Sequence, residues 1–467
     1  MSAELLRISN QRAAITAQRA ILDKQDSALA SLWNTYQPLS RLPAELLVEI
    51  FIEYSWNRGT LTSAWKRLRL VCRHWDEVVC GSPSLWRTID VHTNTRWLAL
   101  CLTRSVQATL EITFHHASRD LSLEDFQTTI SPHAARIRSL TVPYLPWSET
   151  PSNLCPIFDF DMPALETVEF KAPLPEASEL HLSHQRHPHV QRLSLECVCH
   201  PVDLQLLSHL RSLSISTCRE AFRVDEFLHA LASSSRLEEL FLHNFLRGLI
   251  GDFRSPSDSS RKPIKLASLV LLHIAEKSVP IISMFVSHLC LSTNAKIDLS
   301  CSTGDEEGEG LLGGSLSGFL PPTAHRAAFA PLLSSLTVTY ISLALFPSRY
   351  RMDAFDGAHK SSLSLSIFYT SAEALEDDSM GLEHGMADLL DIFDATSYNG
   401  HLSITGIEEN APADIWDHLF ESFRVLKSLS LSPVGPQNGM PSCWVARSDL
   451  YGDDTDSNSE ATTFIRC

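Results

Sequence analysis

The chain has 467 residues, of which 44% are hydrophobic, and its 55 Asp and Glu against 38 Lys and Arg give a net charge of −17. That length exceeds one average domain, and that apolar content can fill a sizeable core. The acid falls late: from Met352 onward 20 Asp and Glu stand against 5 Lys and Arg, a balance of −15, which argues against nucleic acid as the main ligand because phosphate binding needs clustered cations.

Residues 1 to about 34 lack proline and glycine, and Ile8, Ile15, Leu22 and Leu29 recur at every seventh position. Their companions Gln11, Gln18 and Gln25 are polar, so the spacing predicts a helix with a weak seam. We read it as leaning on the next segment, with Trp33 and Tyr36 anchoring its end and a short dimerising coil as the alternative. Met1-Ser2-Ala3-Glu4 reads as the start of this polar helix and not as a signal peptide.

The next stretch organises the chain. Pro43 suits a first helical position, and Leu46, Leu47, Ile50, Phe51 and Tyr54 follow as one stripe opposite Glu45, Glu49 and Glu53. Beyond Asn57-Arg58-Gly59-Thr60, the residues Leu68, Val71, Cys72, Trp75, Val78 and Val79 repeat at helical spacing until Gly81 and Pro83 stop the helix. A unit of about 50 residues has a marginal core, so apolar surface should remain for a partner.

Three segments in fixed order, Leu42-Pro43-Ala44-Glu45-Leu46-Leu47, Leu68-Arg69-Leu70-Val71-Cys72-Arg73-His74-Trp75 and Ser82-Pro83-Ser84-Leu85-Trp86, resemble an F-box, in particular that of the fungal, basidiomycete-type F-box proteins with a C-terminal repeat region. The resemblance implies docking on a Skp-family adaptor, and through it on a cullin, with the adaptor-binding role falling on Leu42, Pro43, Leu46, Ile50, Leu70, Val71 and Trp75. The chain would then be the substrate-recognition subunit of an SCF-type ubiquitin ligase holding an unknown target protein. The alternative is an interaction scaffold that binds the adaptor without assembling a ligase.

From Trp86 apolar residues recur at n, n+3 and n+5: Trp86/Ile89/Val91, Ile137/Leu140/Val142, Leu165/Val168/Phe170, Val190/Leu193/Leu195, Leu210/Leu213/Ile215, Leu237/Leu240/Leu242 and Leu266/Leu269/Leu271. Leu333/Leu336/Val338 and Leu426/Leu429/Leu431 follow, and Leu110/Ile112, Ile297/Leu299, Leu363/Leu365 and Leu402/Ile404 lack the first member. The n+3 and n+5 side chains share the inward face of a short strand, and n+4 faces solvent. Helix-period segments such as Val224, Phe227, Leu228 and Leu231 lie between copies. The pattern resembles an irregular leucine-rich-repeat solenoid with a parallel sheet, although most copies lack the Asn or Cys expected at n+8, which Cys218 supplies.

The expected fold is therefore α/β: a helix over 1–37, a small all-α F-box over 38–86, a solenoid over 87–441 with a Gly-rich loop inserted at about 300–325, and a disordered acidic tail over 442–467. Val279 to Leu291 is too short to span a bilayer, and the 11 scattered cysteines fit reduced thiols in a cytoplasmic or nuclear protein. His181, His184, His187, His189, Cys197, Cys199 and His200 crowd one region, but Cys197 and Cys199 fall at strand spacing, so we read histidine-rich turns instead of zinc. Gly314-Ser315-Leu316-Ser317-Gly318 puts leucine where a nucleophile elbow needs serine. We therefore expect no enzyme activity, cofactor, metal or membrane partner, and an interaction surface of n+4 residues such as Thr141, Glu169, Ser194 and Ser214.

Overall fold

A computed structural model describes residues 2–56, 61–91, 95–114, 123–143, 155–171, 181–196, 203–217, 223–249, 263–292, 294–303, 315–320, 338–346, 349–355, 362–369, 382–393, 398, 400–407, 413–433 and 444–447. Two compact units divide the chain: Met1–Glu149 with Phe160–Leu165, and Thr150–Asp159 with Glu166–Cys467. No helix among the described residues is long and apolar enough to cross a membrane.

The first unit opens with α1 (Ser2–Thr35), then α2 (Ala44–Trp56), α3 (Leu61–Leu68) and α4 (Arg73–Gly81). Pro83–Trp86 forms a short 3-10 turn that leads into β1 (Thr88–Val91), α5 (Thr95–Arg104), β2 (Leu110–Phe114), α6 (Leu123–Ile130) and β3 (Ile137–Val142). The strands are parallel and in register: Ile89 lies beside Ile112, and Ile112 beside Leu140. All three side chains are buried, as the n+3 spacing requires.

The single helix read over 68–79 is two. Leu70 N donates to Arg67 O and Val71 N to Leu68 O, closing α3 with tight turns, and Cys72 is extended before α4 begins. Arg69 Nε meets Asp76 Oδ1 at 2.6 Å. In an unbroken helix these residues would be about 10 Å apart along the axis, so the ion pair belongs to the break.

In the second unit β4 (Thr167–Lys171), β5 (Arg192–Glu196), β6 (Ser212–Ser216), β7 (Glu239–His243), β9 (Leu271–Glu276) and β11 (Lys296–Thr303) run parallel side by side. One hydrogen-bond pattern recurs at their entrances. Glu166 O accepts from Gln191 N and Arg192 N, Gln191 O from Arg211 N and Ser212 N, Arg211 O from Glu238 N and Glu239 N, and Glu238 O from Val270 N and Leu271 N. The exits of β6 and β7 also match: Thr217 and Asn244 take positive φ, and their N–H groups donate to His243 O and Ala275 O. Between them lie α7 (Val224–Ser233), β8 (Ile264–Leu266), α8 (Val279–Ser287) and β10 (Leu289–Leu291), with β8 and β10 forming a separate parallel pair. Phe227, Leu231, Ile282 and Phe285 turn inward from the helices.

Several expectations need correction. The copy read as Leu266/Leu269/Leu271 is Leu269/Leu272/Ile274: Leu272 pairs with Leu240 and Ile274 with Leu242, and both are buried. The sheet is mostly and not wholly parallel. Beyond β11 the order is β14 (Ser362–Tyr369), β13 (Arg349–Phe355), β12 (Tyr340–Phe346), β15 (His401–Ile407), β16 (Ser428–Pro433) and β17 (Trp444–Arg447). β13 is antiparallel to both neighbours and β17 to β16. Tyr350, Met352 and Ala354 are buried between outward Arg349, Arg351 and Asp353, a period-2 strand without the n, n+3 signature. The strand near Val338 is built on Ile341, Leu343 and Leu345, while Leu333 and Leu336 lie outside the described residues.

Within the loop expected at about 300–325, Ser300–Thr303 completes β11 and Leu316–Phe319 is a 3-10 turn with Leu316 and Phe319 buried, while 304–314 and 321–325 lie outside the described residues. Trp444–Arg447 is a strand inside the tail expected to be disordered, the rest of which lies outside the described residues. α9 (Leu382–Ile392) and α10 (Ala413–Ser422) complete the unit. At the bulge between Thr405 and Ile407, Gly406 has φ +87° and a Cβ there would sit 1.8 Å from Leu345 O. Only glycine fits.

Glu276, at the end of β9, is 1% exposed and its Oε1 accepts from Phe245 N and Leu246 N, each at 2.6 Å. Burial raises its pKa above the ordinary 4.5 despite those donors and Arg247. A raised carboxyl stabilises the fold below its unfolded pKa, and that stability is lost as pH rises through the folded value. Glu276→Gln should therefore gain on the native protein from about pH 4.5 upward and level off above the folded pKa. Urea unfolding at stepped pH reads this; a pH-independent difference would contradict it.

Candidate protein-interaction site

The candidate site lies on α2 and on the turn between α3 and α4. Along α2 the predicted stripe splits. Leu47 and Phe51 are buried at 0% and 1%, while Leu46 and Ile50 are each 45% exposed. Residues four apart share a helix face, so one pair faces the core and the neighbouring pair faces out. Pro43 precedes α2, and its carbonyl accepts from Leu47 N at 3.2 Å, one position earlier than the spacing predicted.

The helix break sets the second half of the site. With α3 ended at Leu68, Leu70 is 85% exposed and Val71 56% exposed. Asp76 holds the turn through Arg69, whose hydrogen bond lowers the Asp76 pKa while Asp76 raises that of Arg69. Both partners are partly exposed, so the pair contributes under about 1 kcal/mol and acts chiefly on geometry.

The remaining predicted residues support these. Pro43 is exposed, and Leu42 and Trp75 are half-buried. The Trp75 ring lies 4.8 Å from Phe51, centroid to centroid. Leu39 was missed by sequence reasoning and is 50% exposed; its signal is its place between Pro38 and Ser40, ahead of the helix. Beneath the site Trp86 is buried, and its Nε1 donates to Val79 O at 2.6 Å. Arg104 lies over the Trp86 ring at 4.7 Å, and Trp97 stands 5.7 Å away.

In the second unit the outward residues of β9, β11, β14, β13 and β12 line a shallow groove of about 550 Å³ that includes Lys296, Asp298, Tyr340, Arg351, Asp353 and Ser364. Asp298 pairs with His273 at 3.1 Å and Asp353 with Arg351 at 2.6 Å. Thr141, Glu169, Ser194 and Ser214 all take half-exposed outward positions on their strands.

The histidine-rich region disperses its ligating atoms. His181 and Arg186 both meet Asp159, His184 stacks on His209 at 4.2 Å, and His187 is fully buried. Cys197, Cys199 and His200 lie outside the described residues, as does Cys218. Cys72, Cys80, Cys101, Cys290 and Cys301 are free thiols, and burial raises Cys101 to about 12 and Cys301 to about 11.

Residues 39–92 match the F-box-like family. The chain therefore carries an F-box-like domain, a module of protein–protein interaction that typically binds Skp-type adaptors. The matched segment runs past Trp86 to take in β1. No curated protein matches the chain.

Proposed function

We propose that this chain is the substrate-recognition subunit of an SCF-type cullin-RING ubiquitin ligase and is not itself an enzyme. The F-box-like domain docks on a Skp-family adaptor through Leu42, Pro43, Leu46, Ile50, Leu70 and Val71, with Trp75 bracing α2 from behind, and the adaptor brings the cullin. One observation carries this reading: within that domain Leu46, Ile50, Leu70 and Val71 are apolar yet lie outside the core formed by Leu47, Phe51, Val79 and Trp86. Burying such side chains against a partner is worth about 1.5–3 kcal/mol each at most.

The recurring strand-entry hydrogen bonds and the aligned inward leucines support a leucine-rich-repeat-like solenoid beyond the domain. Its outward sheet face, with the groove at Asp298 and Arg351, is the surface we assign to the target protein. Such a receptor accelerates ubiquitin transfer by proximity, holding a target lysine near the ligase.

Co-purification with a Skp-family adaptor and cullin tests this. The native chain should retain both, and Leu46→Asp/Ile50→Asp should lose adaptor capture by a hundredfold or more at an unchanged melting temperature. Adaptor without cullin would favour the scaffold, and capture unaffected by the substitutions would move the site elsewhere.

A further inference from the structure

α1 is the least covered element of the first unit. Every residue from Ala3 to Ala30 is exposed, and within the helix Ser31 and Asn34 alone are half-covered among the described residues. Its tie to the domain is polar: Arg73 Nη2 donates to Ser27 Oγ at 3.3 Å. Ser27, Ser31 and Asn34 form one stripe. The apolar stripe of Leu5, Ile8, Ile15, Leu22, Leu29 and Trp33 lies roughly 100° round the helix and is left in solvent, with Trp33 69% exposed. Trp33, and Tyr36 at 66% exposure, therefore do not anchor the helix end as the sequence led us to expect. A lone helix of this kind draws little stability from its own backbone and needs packing along its apolar face.

The charges on the seam choose the occupant. The sequence pattern alone set Gln11, Gln18 and Gln25 beside Ile8, Ile15, Leu22 and Leu29, but exposed Leu5 and Trp33 place the second seam position one residue further on, at Leu5, Arg12, Arg19, Asp26 and Trp33. A parallel pair would set Arg12 against Arg12, Arg19 against Arg19 and Asp26 against Asp26. An antiparallel pair alternates the two positions across each layer: Ile8 meets Trp33, Arg12 meets Leu29, Ile15 meets Asp26 and Arg19 meets Leu22. Each Asp26 carboxylate then lies between Arg12 and Arg19 of the opposing helix, and the contact is self-complementary, as a two-fold interface must be. We propose that α1 pairs antiparallel with α1 of a second copy of this chain, making the protein a homodimer through a seam turned away from its own F-box-like domain. Two copies joined in this way hold two target-binding faces and bind a multivalent target with avidity.

Light scattering and sedimentation of the full chain over a dilution series test the pairing. The native protein should show twice its 52.0 kDa, and Ile15→Glu/Leu22→Glu should halve the mass without altering adaptor capture. Asp26→Arg should weaken the dimer roughly tenfold or more by adding like charge to the seam. Adding Arg12→Asp/Arg19→Asp to it should restore the dimer, because inverting every charge preserves antiparallel pairing. A native chain that stays monomeric, or a dimer indifferent to Ile15→Glu/Leu22→Glu, overturns the proposal. Failure of the charge-inverted chain to recover overturns the antiparallel alignment. A monomer whose adaptor capture falls with the seam substitutions would show that the adaptor covers this face instead.

Discussion

Replacing Trp86 with alanine should cost the first unit about 3–5 kcal/mol, the range for emptying a buried aromatic site. The residue is 1% exposed and contributes more than volume. Its Nε1–H is the donor for Val79 O at the end of α4, and its ring underlies Arg104. Trp86→Phe separates these effects. It keeps most of the ring volume but leaves the Val79 carbonyl without that donor, and a buried acceptor so deprived costs about 1–3 kcal/mol. Denaturant titration of both variants should order them native, phenylalanine, alanine. Neither substitution touches Leu46, Ile50, Leu70 or Val71, so a variant that remains folded at low temperature should still capture the adaptor. Loss of capture by a demonstrably folded Trp86→Phe chain would place Trp86 in the interface, against its burial.

Much of the sheet was legible because its rule is local. Leu213 and Ile215 must share an inward face from their spacing alone, and the register with Leu240 and Leu242 follows from repetition. The same locality misled the reading at 266–274. Leu266/Leu269/Leu271 and Leu269/Leu272/Ile274 both satisfy n, n+3, n+5, and the choice is made by pairing with β7, which lies outside the window. β13 carried a strand signal of another period, and its antiparallel direction is decided by neighbours on either side. In the F-box-like domain the composition of the site was readable and its division was not. Leu46 and Leu47 are adjacent leucines, and which one faces the core depends on where Phe51 and Trp75 meet. The exposure of Leu70 and Val71 depends on a break that helix periodicity concealed.

The Asp388 hub was wholly hidden from the sequence, since its partners come from two segments far from it in the chain, 315–317 and Tyr350, and removing it should have an effect comparable to the Trp86 loss. Asp388 on α9 is 4% exposed. It accepts from Leu316 N at 2.7 Å, Ser317 N at 3.1 Å, Tyr350 Oη at 2.7 Å and Ser315 Oγ. The carboxylate thus caps the 316–319 turn and ties it to β13. Burial, then Asp388, raises the Tyr350 pKa, so the phenol keeps the proton it donates. Asp388→Ala should cost about 3–5 kcal/mol, because several buried donors lose their acceptor at about 1–3 kcal/mol each and partial relaxation returns some of it. Tyr350→Phe removes one donor and should cost about 1–3 kcal/mol. In the double variant the orphaned phenol no longer exists, so the combined loss should fall short of the sum by about 0.5–3 kcal/mol. Strict additivity in a denaturant-measured cycle would mean that the two side chains do not share a hydrogen bond, and Asp388 would then cap the turn at 316–319 without tying it to β13.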